Sequence, residues 1–598
     1  MGPGSPQPSS PSAVFDQRLP IVLAVTGHRD PVEAPDGVLR RAIESILEDL
    51  DRLAPRTPIV ALSPLAEGAD RIFAEACLGF RGRRRHWPVA HDSRGGISLL
   101  AVLPMEQAEY EHDFKGPGVL EEFHRLVARA DRCFPISMPE GGTVADLSRE
   151  REHDPEWRHR PLRDEQYIRL GHFIAMQANL VIAMWDGRDE AKPGGTRAVV
   201  GFCARGRIER HTIPFRAAVK LLEPDDPTPV AWVPTGRRRH DDSPEVPMEG
   251  PAPDADLATR TSACWAKLGD GHASDPPPRS WNKLGDDLRW LDRLNGHLAA
   301  AGPGYEPSGS ATPLDARFRR LDDAAVRAKN RLLRTLRGFI GLVAVTILAL
   351  QATTAWSWWV WPLIYLCGLF VVWIGFRMIK WGRFEKRSAD LRLLAEALRV
   401  QRHWLQAGIV EQASDHYFAH RAVEIPVLRR IMRGATLEAF DHNGGEGPTP
   451  VVEAWIEDQR DWIEKTIGRI ERRKRRSRWI FRCTCGLVVV LAGTSLWIAL
   501  EDAASPAMFA WIDFLCGGTL TISLAVGLWQ QVRGDEEDLR RYRSMRTIFR
   551  DALDRAREPS VDDAGLRDLL RAVGKEALDE QAAWHALHRE TLDELPVG

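Results

Sequence analysis

Residues 20–27 read PIVLAVTG, an uninterrupted apolar run that ends in glycine. Four further runs have the same character: PIVALSP (58–64), ISLLAVLP (97–104), ANLVIAMWDG (178–187) and PVAWVPTG (229–236). Continuous Val-, Ile- and Leu-rich runs of this length are typical of parallel strands that are buried on both faces. Amphipathic stretches such as GVLRRAIESILEDLDRL, which starts at Gly37, lie between them. This alternation predicts a doubly wound α/β domain over residues 19–240.

Loops with glycine and polar residues follow three of these strands, at the carboxyl edge where α/β sheets bind ligands. They are TGHR (26–29), SPLAEGADR (63–71), and WDG (185–187) followed by KPGGT (192–196). Glycine lets backbone amides approach a phosphate, a following helix adds its positive end, and arginine pairs with phosphate. We therefore predict a ligand-binding site formed by Thr26, Gly27, His28, Arg29, Glu67, Gly68, Asp70, Arg71, Asp186, Gly187, Gly194, Gly195 and Thr196.

Composition and motifs narrow the function classes. The formal net charge of −2 gives no electrostatic footprint for nucleic acid, so we expect no nucleic-acid partner. The eight cysteines are scattered without a CxxC pair, which indicates a reducing compartment with neither a disulfide framework nor a zinc site. Neither GxGxxG nor GxxxxGK[ST] occurs, so the Rossmann dinucleotide and P-loop signatures are missing. We expect a nucleotide-derived ligand and no metal.

Four segments carry a resemblance to a known group. VTGHR, LSPLAEGADRIFAEA, LAVLP…EYEHDF and ANLVIAMWDG…KPGGT resemble, in sequence and in order, the SLOG superfamily. That superfamily includes DNA-processing protein A and the lonely-guy cytokinin-activating enzymes, and the resemblance covers residues 19–240. It implies a Rossmannoid pocket for a nucleotide or an ADP-ribose-like ligand, with the site at Gly27, Gly68, Gly194, Gly195 and Thr196.

One position departs from the enzymes of that superfamily. The lonely-guy phosphoribohydrolases carry a glutamate three residues after the threonine of their glycine loop, and this chain has Val199 there. Hydrolysis of an N-glycosidic bond needs a positioned carboxylate or an equivalent group. The sequence therefore favours ligand sensing over catalysis, with Glu67, His28 and Asp70 as the candidate groups of the alternative, an enzyme.

Two apolar islands predict membrane-spanning helices. Residues 338–376 contain no charged residue, and 479–529 hold a second apolar pair around the loop EDAASPA. Since one span needs about 20 helical residues, each island is long enough for a hairpin. Basic runs flank both hairpins, while their tips carry no Lys or Arg. The positive-inside rule then places both termini in the cytoplasm, with four spans in the cytoplasmic (inner) membrane.

The predicted organisation follows from these boundaries. Asp513, a charge inside the fourth span, is assigned either to a pore or to the outer headgroup region. The predicted segments are a disordered tail (1–18), the SLOG-like domain (19–240), a flexible linker or insertion (241–284), cytoplasmic helices (285–337), hairpin 1 (338–379), a cytoplasmic helical region (380–478), hairpin 2 (479–530) and C-terminal cytoplasmic helices (531–598).

Residues 315–598 resemble a second group. Long helices that project from two-span hairpins, with RLLAEALRVQRHWLQAGI and WIEDQ, are similar to the SLATT class of membrane effectors that accompanies SLOG domains. The combined resemblance implies a homo-oligomeric, ligand-gated membrane effector or pore in prokaryotic antiviral defence. The alternatives are a membrane-tethered enzyme that processes nucleotides or NAD derivatives, and a transporter or constitutive channel.

Overall fold

The computed structural model describes residues 17–32, 37–84, 87, 95–116, 118–139, 141–153, 160–188, 194–206, 226–238, 244–245, 247–268, 277–299, 312–356, 358–382, 384–416, 425–437, 447–500 and 505–590. The chain forms two compact units. Unit 1 is drawn from residues 1–321, 397–405 and 410–443, and unit 2 from 322–396, 406–409 and 444–598. Unit 1 is an α/β domain with a parallel sheet, and unit 2 is helical.

A six-stranded, all-parallel sheet is the centre of unit 1. Its strands are β1 (Ile21–Gly27), β2 (Ile59–Ser63), β3 (Ile97–Leu103), β4 (Arg132–Pro135), β5 (Leu180–Trp185) and β6 (Val230–Pro234). They lie in the order β4-β3-β2-β1-β5-β6. The five predicted strands are confirmed, and their side chains are almost all buried, as the unbroken apolar runs require. The short edge strand β4 was not predicted from the sequence.

Helices surround this sheet. The helices of unit 1 are α1 (Val38–Leu53), α2 (Ala69–Phe80), α3 (Gln107–Tyr110), α4 (Val119–Arg129), α5 (Val144–His153), α6 (Pro161–Gln177), α7 (Thr196–Arg205), α8 (Leu257–Leu268), α9 (Arg279–Asn282), α10 (Leu284–Ala299) and, later in the chain, α14 (Ile425–Leu437). Unit 1 also contains a separate antiparallel pair of short strands, β7 (Arg237–Arg238) and β8 (Pro244–Glu245).

The segment predicted as a flexible linker differs from that expectation. Within 241–284, helix α8 packs on β6, and Cys264 and Trp281 belong to the core of the α/β domain. Arg260 of α8 is fully buried and donates from Nη1 to the carbonyl of Trp232 at 3.3 Å. The helix is not apparent from the sequence, because the segment as a whole is rich in Pro and Gly and the few buried side chains of α8 lie among polar ones.

Two other segments also pack against the core. Residues 1–16 of the predicted tail lie outside the described residues, but Gln17 and Arg18 are buried, and Arg18 donates to the carbonyl of Arg56 at 2.8 Å. Part of the predicted cytoplasmic helical region 380–478 belongs to unit 1 rather than to unit 2. There Arg433 of α14 pairs with buried Asp415 at 2.7 Å.

Unit 2 holds the long helices. They are α11 (Pro313–Ala355) and α13 (Phe384–Gln406), which also contribute residues to unit 1, and α12 (Val360–Gly382), α15 (Pro448–Val451), α16 (Asp458–Leu500), α17 (Pro506–Arg533), α18 (Asp535–Ala556) and α19 (Asp563–Glu590). A π-helical turn, Val452–Glu457, joins α15 to α16. Four of the helical stretches are long and apolar enough to cross a membrane: Leu314–Ala355, Val360–Arg377, Pro448–Leu500 and Pro506–Ala556.

The apolar ends of these helices are exposed, as in a membrane protein. Val489 and Leu500 on α16 expose 71% and 77% of their surface. A water-soluble protein rarely exposes so large a contiguous apolar surface, whereas lipid contact requires one. Small residues allow close packing between the helices, since a Cβ at Gly517 of α17 would lie 2.7 Å from the side chain of Gln351 on α11. Of the loop EDAASPA (501–507), predicted as the tip of hairpin 2, residues 501–504 lie outside the described residues, and α17 begins within it at Pro506.

Candidate functional site

A cavity of about 500 Å³ opens at the carboxyl ends of β1 and β5 in unit 1. These strands are neighbours, and the strand order reverses between them, which is where open α/β sheets leave a crevice for ligands. All three predicted loops reach this cavity. The predicted residues that line it are Thr26, Gly27, His28, Arg29, Asp70, Asp186, Gly194, Gly195 and Thr196.

Four predicted residues are not among the lining residues that the structure describes: Glu67, Gly68, Arg71 and Gly187. The buried Arg71 donates from Nη1 to Glu122 at 2.7 Å and to the carbonyl of Val119 at 2.8 Å, so it ties the loop to α4. Gly68 has a φ of +78°, and a Cβ there would lie 2.5 Å from the carbonyl oxygen of Arg29. Its role is therefore the close approach of two loops.

The first loop ties the ends of the two central strands together. A Cβ on Gly27 would lie 2.2 Å from the Cβ of Ala69, so only glycine lets α2 start this close to β1. The next residue, His28, accepts the amide N–H of Asp186 at Nε2 over 3.0 Å. Burial lowers the pKa of His28 and outweighs the nearby Asp186 carboxylate. A neutral imidazole with Nε2 unprotonated fits that hydrogen bond.

The second loop places a buried carboxyl group at the cavity. Leu65 has a φ of +56°, a strained conformation for a leucine and one that clusters at functional sites. Its amide donates to Ser63 Oγ at 3.2 Å, and the amide of Ala66 donates to Asp70 Oδ2 at 3.3 Å. Asp70 is 6% exposed. Burial raises the pKa of Asp70 to about 7, against the opposing effect of Arg29.

The third loop presents a helix N-terminus. Gly195 is the N-cap of α7, and Thr196 is its first residue. Gly194 has a φ of +67°, and a Cβ there would lie 2.7 Å from the Cβ of Tyr167 on α6, so this position also requires glycine. Val199, at the place of the expected acid, is buried in the cavity lining. The amides of this helix start therefore face the cavity without an acidic side chain in the first turn.

Two tyrosines complete the site and were not predicted from the sequence. Arg29 donates from Nη2 to the hydroxyl of Tyr167 at 2.9 Å, and that hydroxyl donates to Asp113. The second, Tyr110, is fully buried and lines the cavity, and its hydroxyl has no hydrogen-bond partner among the described residues. Tyr110 and Asp113 both lie in EYEHDF, a segment that carries the SLOG resemblance but contains none of the predicted site residues.

Arg163 of α6 holds this network in place. The guanidinium is 1% exposed and lies 2.7 Å from both Asp113 Oδ1 and Glu109 Oε1. Burial alone would raise the pKa of Glu109, but hydrogen bonds from Arg163 and Ser148 lower it. Glu109 and Asp113 therefore share this buried cation, and Glu109 also pairs with the partly exposed Arg151 at 3.2 Å.

Charged groups dominate the rest of the lining. Five arginines face four aspartates: Arg29, Arg160, Arg188, Arg197 and Arg237, with Asp30, Asp70, Asp164 and Asp186. Two ion pairs, Arg237–Asp30 and Arg160–Asp164, each have an N–O distance of 3.1 Å. Since the arginines outnumber the aspartates, the lining carries a net positive charge, and the raised pKa of Asp70 adds to it. Such a lining suits a small anionic ligand with a planar group beside Tyr167 or Trp185.

The remaining predicted site residue lies in unit 2. Asp513 is exposed on α17, and nothing in the described part of the chain encloses it in a channel. Its assignment to a pore stays a prediction. In the described ranges, no group of three or more His, Cys, Asp or Glu side chains is arranged to hold a metal ion.

No protein-family model matches the chain, and the search of curated proteins gives no significant match. What the protein does is therefore inferred from the cavity of unit 1 and from the four apolar helices. The cavity joins residues from three separate loops, and the helices offer a membrane-spanning element in the same chain.

Proposed function

We propose that this protein is a ligand-gated membrane effector, in which unit 1 binds a nucleotide or ADP-ribose-derived signal and unit 2 opens or disrupts a membrane. The observation that carries the proposal is the convergence of three glycine-containing loops on one cavity, in a chain that also has four apolar helices. The SLOG-like and SLATT-like sequence segments support the same pairing of a sensor with a membrane element.

The lining of the cavity supports a ligand that contains phosphate. The arginines and the N-terminus of α7 favour a phosphate or pyrophosphate. Tyr167 and Trp185 offer aromatic surface for a base, and the orphan hydroxyl of Tyr110 offers a donor to a ribose or base oxygen. A cavity of about 500 Å³ lies within the usual range of roughly 300–1,000 Å³ for small-molecule sites.

The apolar helices and the charges that flank them support the proposed role of unit 2 in a membrane. Basic residues before and after both hairpins favour cytoplasmic termini and insertion in the cytoplasmic membrane. Homo-oligomers are expected, since four spans with few polar groups offer no aqueous path within one chain. Ligand binding shifts the protein toward its open form only if the ligand binds that form more tightly. Growth arrest in antiviral defence is the biological role that the resemblance implies.

The ligand can be identified directly. Full-length protein purified in mild detergent is measured by native mass spectrometry before and after denaturation, and ADP-ribose and cyclic nucleotides are added to the protein stripped of bound molecules. We expect a released small molecule that contains phosphate, or saturable binding of one of the added compounds. If no phosphate-containing molecule is released and none of the added compounds binds, the proposal of a nucleotide-derived signal is contradicted.

The pKa of Asp70 predicts a pH dependence of binding. A carboxyl with a pKa near 7 is mostly neutral at pH 6 and mostly charged at pH 8, and its charge repels a phosphate. The pyrophosphate of ADP-ribose keeps its charge over this range. We expect its affinity, measured by titration calorimetry, to fall about three- to tenfold from pH 6 to pH 8. In Asp70→Asn the affinity should be nearly the same at pH 6 and pH 8. If the affinity of that variant falls with pH as it does in the unmodified protein, another group causes the effect.

One observation favours a second candidate, a membrane-tethered enzyme that processes nucleotides or NAD derivatives. A cavity-lining carboxyl with a pKa near 7 is suited to general acid–base catalysis. Turnover of NAD, ADP-ribose or a nucleoside monophosphate by the full chain, lost in Asp70→Asn and kept in Glu67→Ala, would establish this alternative. Binding without turnover supports the sensor.

A further inference from the structure

The basic run ERRKRRSR (471–478) forms the last two turns of α16 before its apolar segment begins at Trp479. Helix α18 packs against these turns. Arg473 pairs with Asp535 and Lys474 with Glu536, so two consecutive residues of one helix hold two of the other at the same level. A cavity of about 370 Å³ lies between the two helices there.

The lining of this cavity is strongly cationic. Its charged residues are Lys474, Arg475, Arg478, Arg540, Arg543, Glu471 and Glu536. The two carboxylates are already engaged, since Glu536 accepts from Lys474 and Glu471 accepts from Arg543 at 2.8 Å. Within the described part of the chain, Arg475, Arg478 and Arg540 make no ion pair. The five cations of the lining outnumber its two carboxylates, Glu471 and Glu536, so an anion in the cavity would reduce the remaining repulsion between the guanidinium groups.

The depth of the cavity selects the kind of anion. Arg478 directly precedes the apolar segment, and Arg475 lies three residues further from it, about 5 Å along the helix axis. The headgroup layer on each side of a bilayer is roughly 5–8 Å thick. Once α16 spans the membrane, Arg475 and Arg478 lie at the level of the lipid phosphates. Arg540 follows Glu536 by about one turn of α18 and lines the same cavity.

We propose that the cavity between α16 and α18 binds the phosphate headgroup of an anionic membrane lipid through Arg475, Arg478 and Arg540. The proposal rests on the proposed insertion of the four helices in a membrane. Arginine forms paired hydrogen bonds with phosphate oxygens, and basic clusters on the cytoplasmic side of a spanning helix recognise anionic lipids. A bound headgroup also joins the ends of spans three and four, because α18 directly follows α17.

The test uses the full-length chain in detergent, with native mass spectrometry as the readout for bound lipid. The probes are phosphatidylglycerol, phosphatidylcholine and inorganic phosphate. The cavity variant is Arg475→Gln/Arg478→Gln/Arg540→Gln. The matched control is Arg472→Gln/Arg476→Gln/Arg550→Gln, which removes the same charge from exposed positions of the same two helices outside this cavity. Circular dichroism and gel filtration compare the folding of the two variants.

We expect the unmodified protein to hold phosphatidylglycerol at least tenfold more tightly than phosphatidylcholine. The cavity variant should lose at least tenfold of that affinity, and the control should change it less than twofold. Equal losses in both variants would overturn the proposal, since they would report net charge alone. Displacement of the lipid by millimolar inorganic phosphate would overturn it in favour of a free-phosphate site. If the cavity variant misfolds, the unmodified protein is used alone: a preference of less than tenfold for phosphatidylglycerol over phosphatidylcholine would then overturn the proposal.

Failure of the lipid site is distinguishable from failure of membrane insertion. Membranes that contain the protein are first washed with alkaline carbonate, which releases peripheral proteins. Release of the chain would overturn both insertion and the lipid site. Retention of the chain without selective binding of phosphatidylglycerol would overturn the lipid site alone.

Discussion

Replacing Arg163 by methionine is expected to destabilise unit 1 by about 3–5 kcal/mol, because the substitution removes the buried cation that Glu109 and Asp113 share and leaves Glu109 only the partly exposed Arg151. Arg163 is 1% exposed and holds both Glu109 and Asp113. The hydroxyl of Tyr167 donates to the same Asp113 and accepts from Arg29, so the lining of the cavity is disturbed as well. Hydrogen exchange of the sheet amides measures the effect, as exchange about 10²–10⁴-fold faster than in the unmodified protein.

The matched control is Arg149→Met. Arg149 also forms an ion pair with an aspartate, Asp146, but its side chain is 74% exposed. Exposed ion pairs contribute at most about 1 kcal/mol, so sheet exchange should accelerate less than about fivefold. Similar rates in the two variants would contradict the role of Arg163 as the cation on which the buried network depends.

Replacing Gly195 by glutamate is expected to weaken ligand binding at least about 100-fold while the fold is kept. Gly195 has a φ of −74°, which any residue adopts, so the substitution does not strain the backbone. The new side chain fills the cavity at the N-terminus of α7 and adds a negative charge where a phosphate is expected. Titration calorimetry with ADP-ribose, or with the ligand found by mass spectrometry, gives the loss.

Gly195→Ala is the control for that experiment. It adds one methyl group without charge, and binding should stay within about threefold of the unmodified protein. Gly194 is not suitable for the same purpose, since its φ of +67° and its contact with Tyr167 make any substitution disrupt the loop. Full binding by Gly195→Glu would place the ligand in another part of the molecule.

Much of the α/β fold is predictable because buried parallel strands leave an unmistakable pattern. Residues 21–25 and 180–185 are apolar at every position, as strands covered on both faces must be. The edge strand β4 escapes this reasoning, because RCFP is short and begins with arginine. The sequence pattern also misses helix α8, because two of its buried residues, Arg260 and Thr261, are polar.

The candidate site is predictable only where the loops carry glycine. Gly27 and Gly194 are required by contacts that no other residue allows, and both loops end at the same edge of the sheet. The direction in which a side chain points depends on tertiary contacts, so the sequence of the loop does not show it. Arg71 has the residue type of a phosphate ligand but pairs with Glu122, and Tyr167 has the residue type of a core aromatic but lines the cavity.

The central claim, that ligand binding in unit 1 controls a membrane opening, is tested most directly by dye release from liposomes. Full-length protein is reconstituted in liposomes that enclose a fluorescent dye, and ADP-ribose, or the compound that mass spectrometry finds to bind, is added to the side that carries unit 1. We predict rapid release that depends on ligand concentration, and no release from liposomes with Gly195→Glu. Equal leakage with and without a ligand that demonstrably binds, or equal ligand-dependent release from the Gly195→Glu liposomes, would contradict the account.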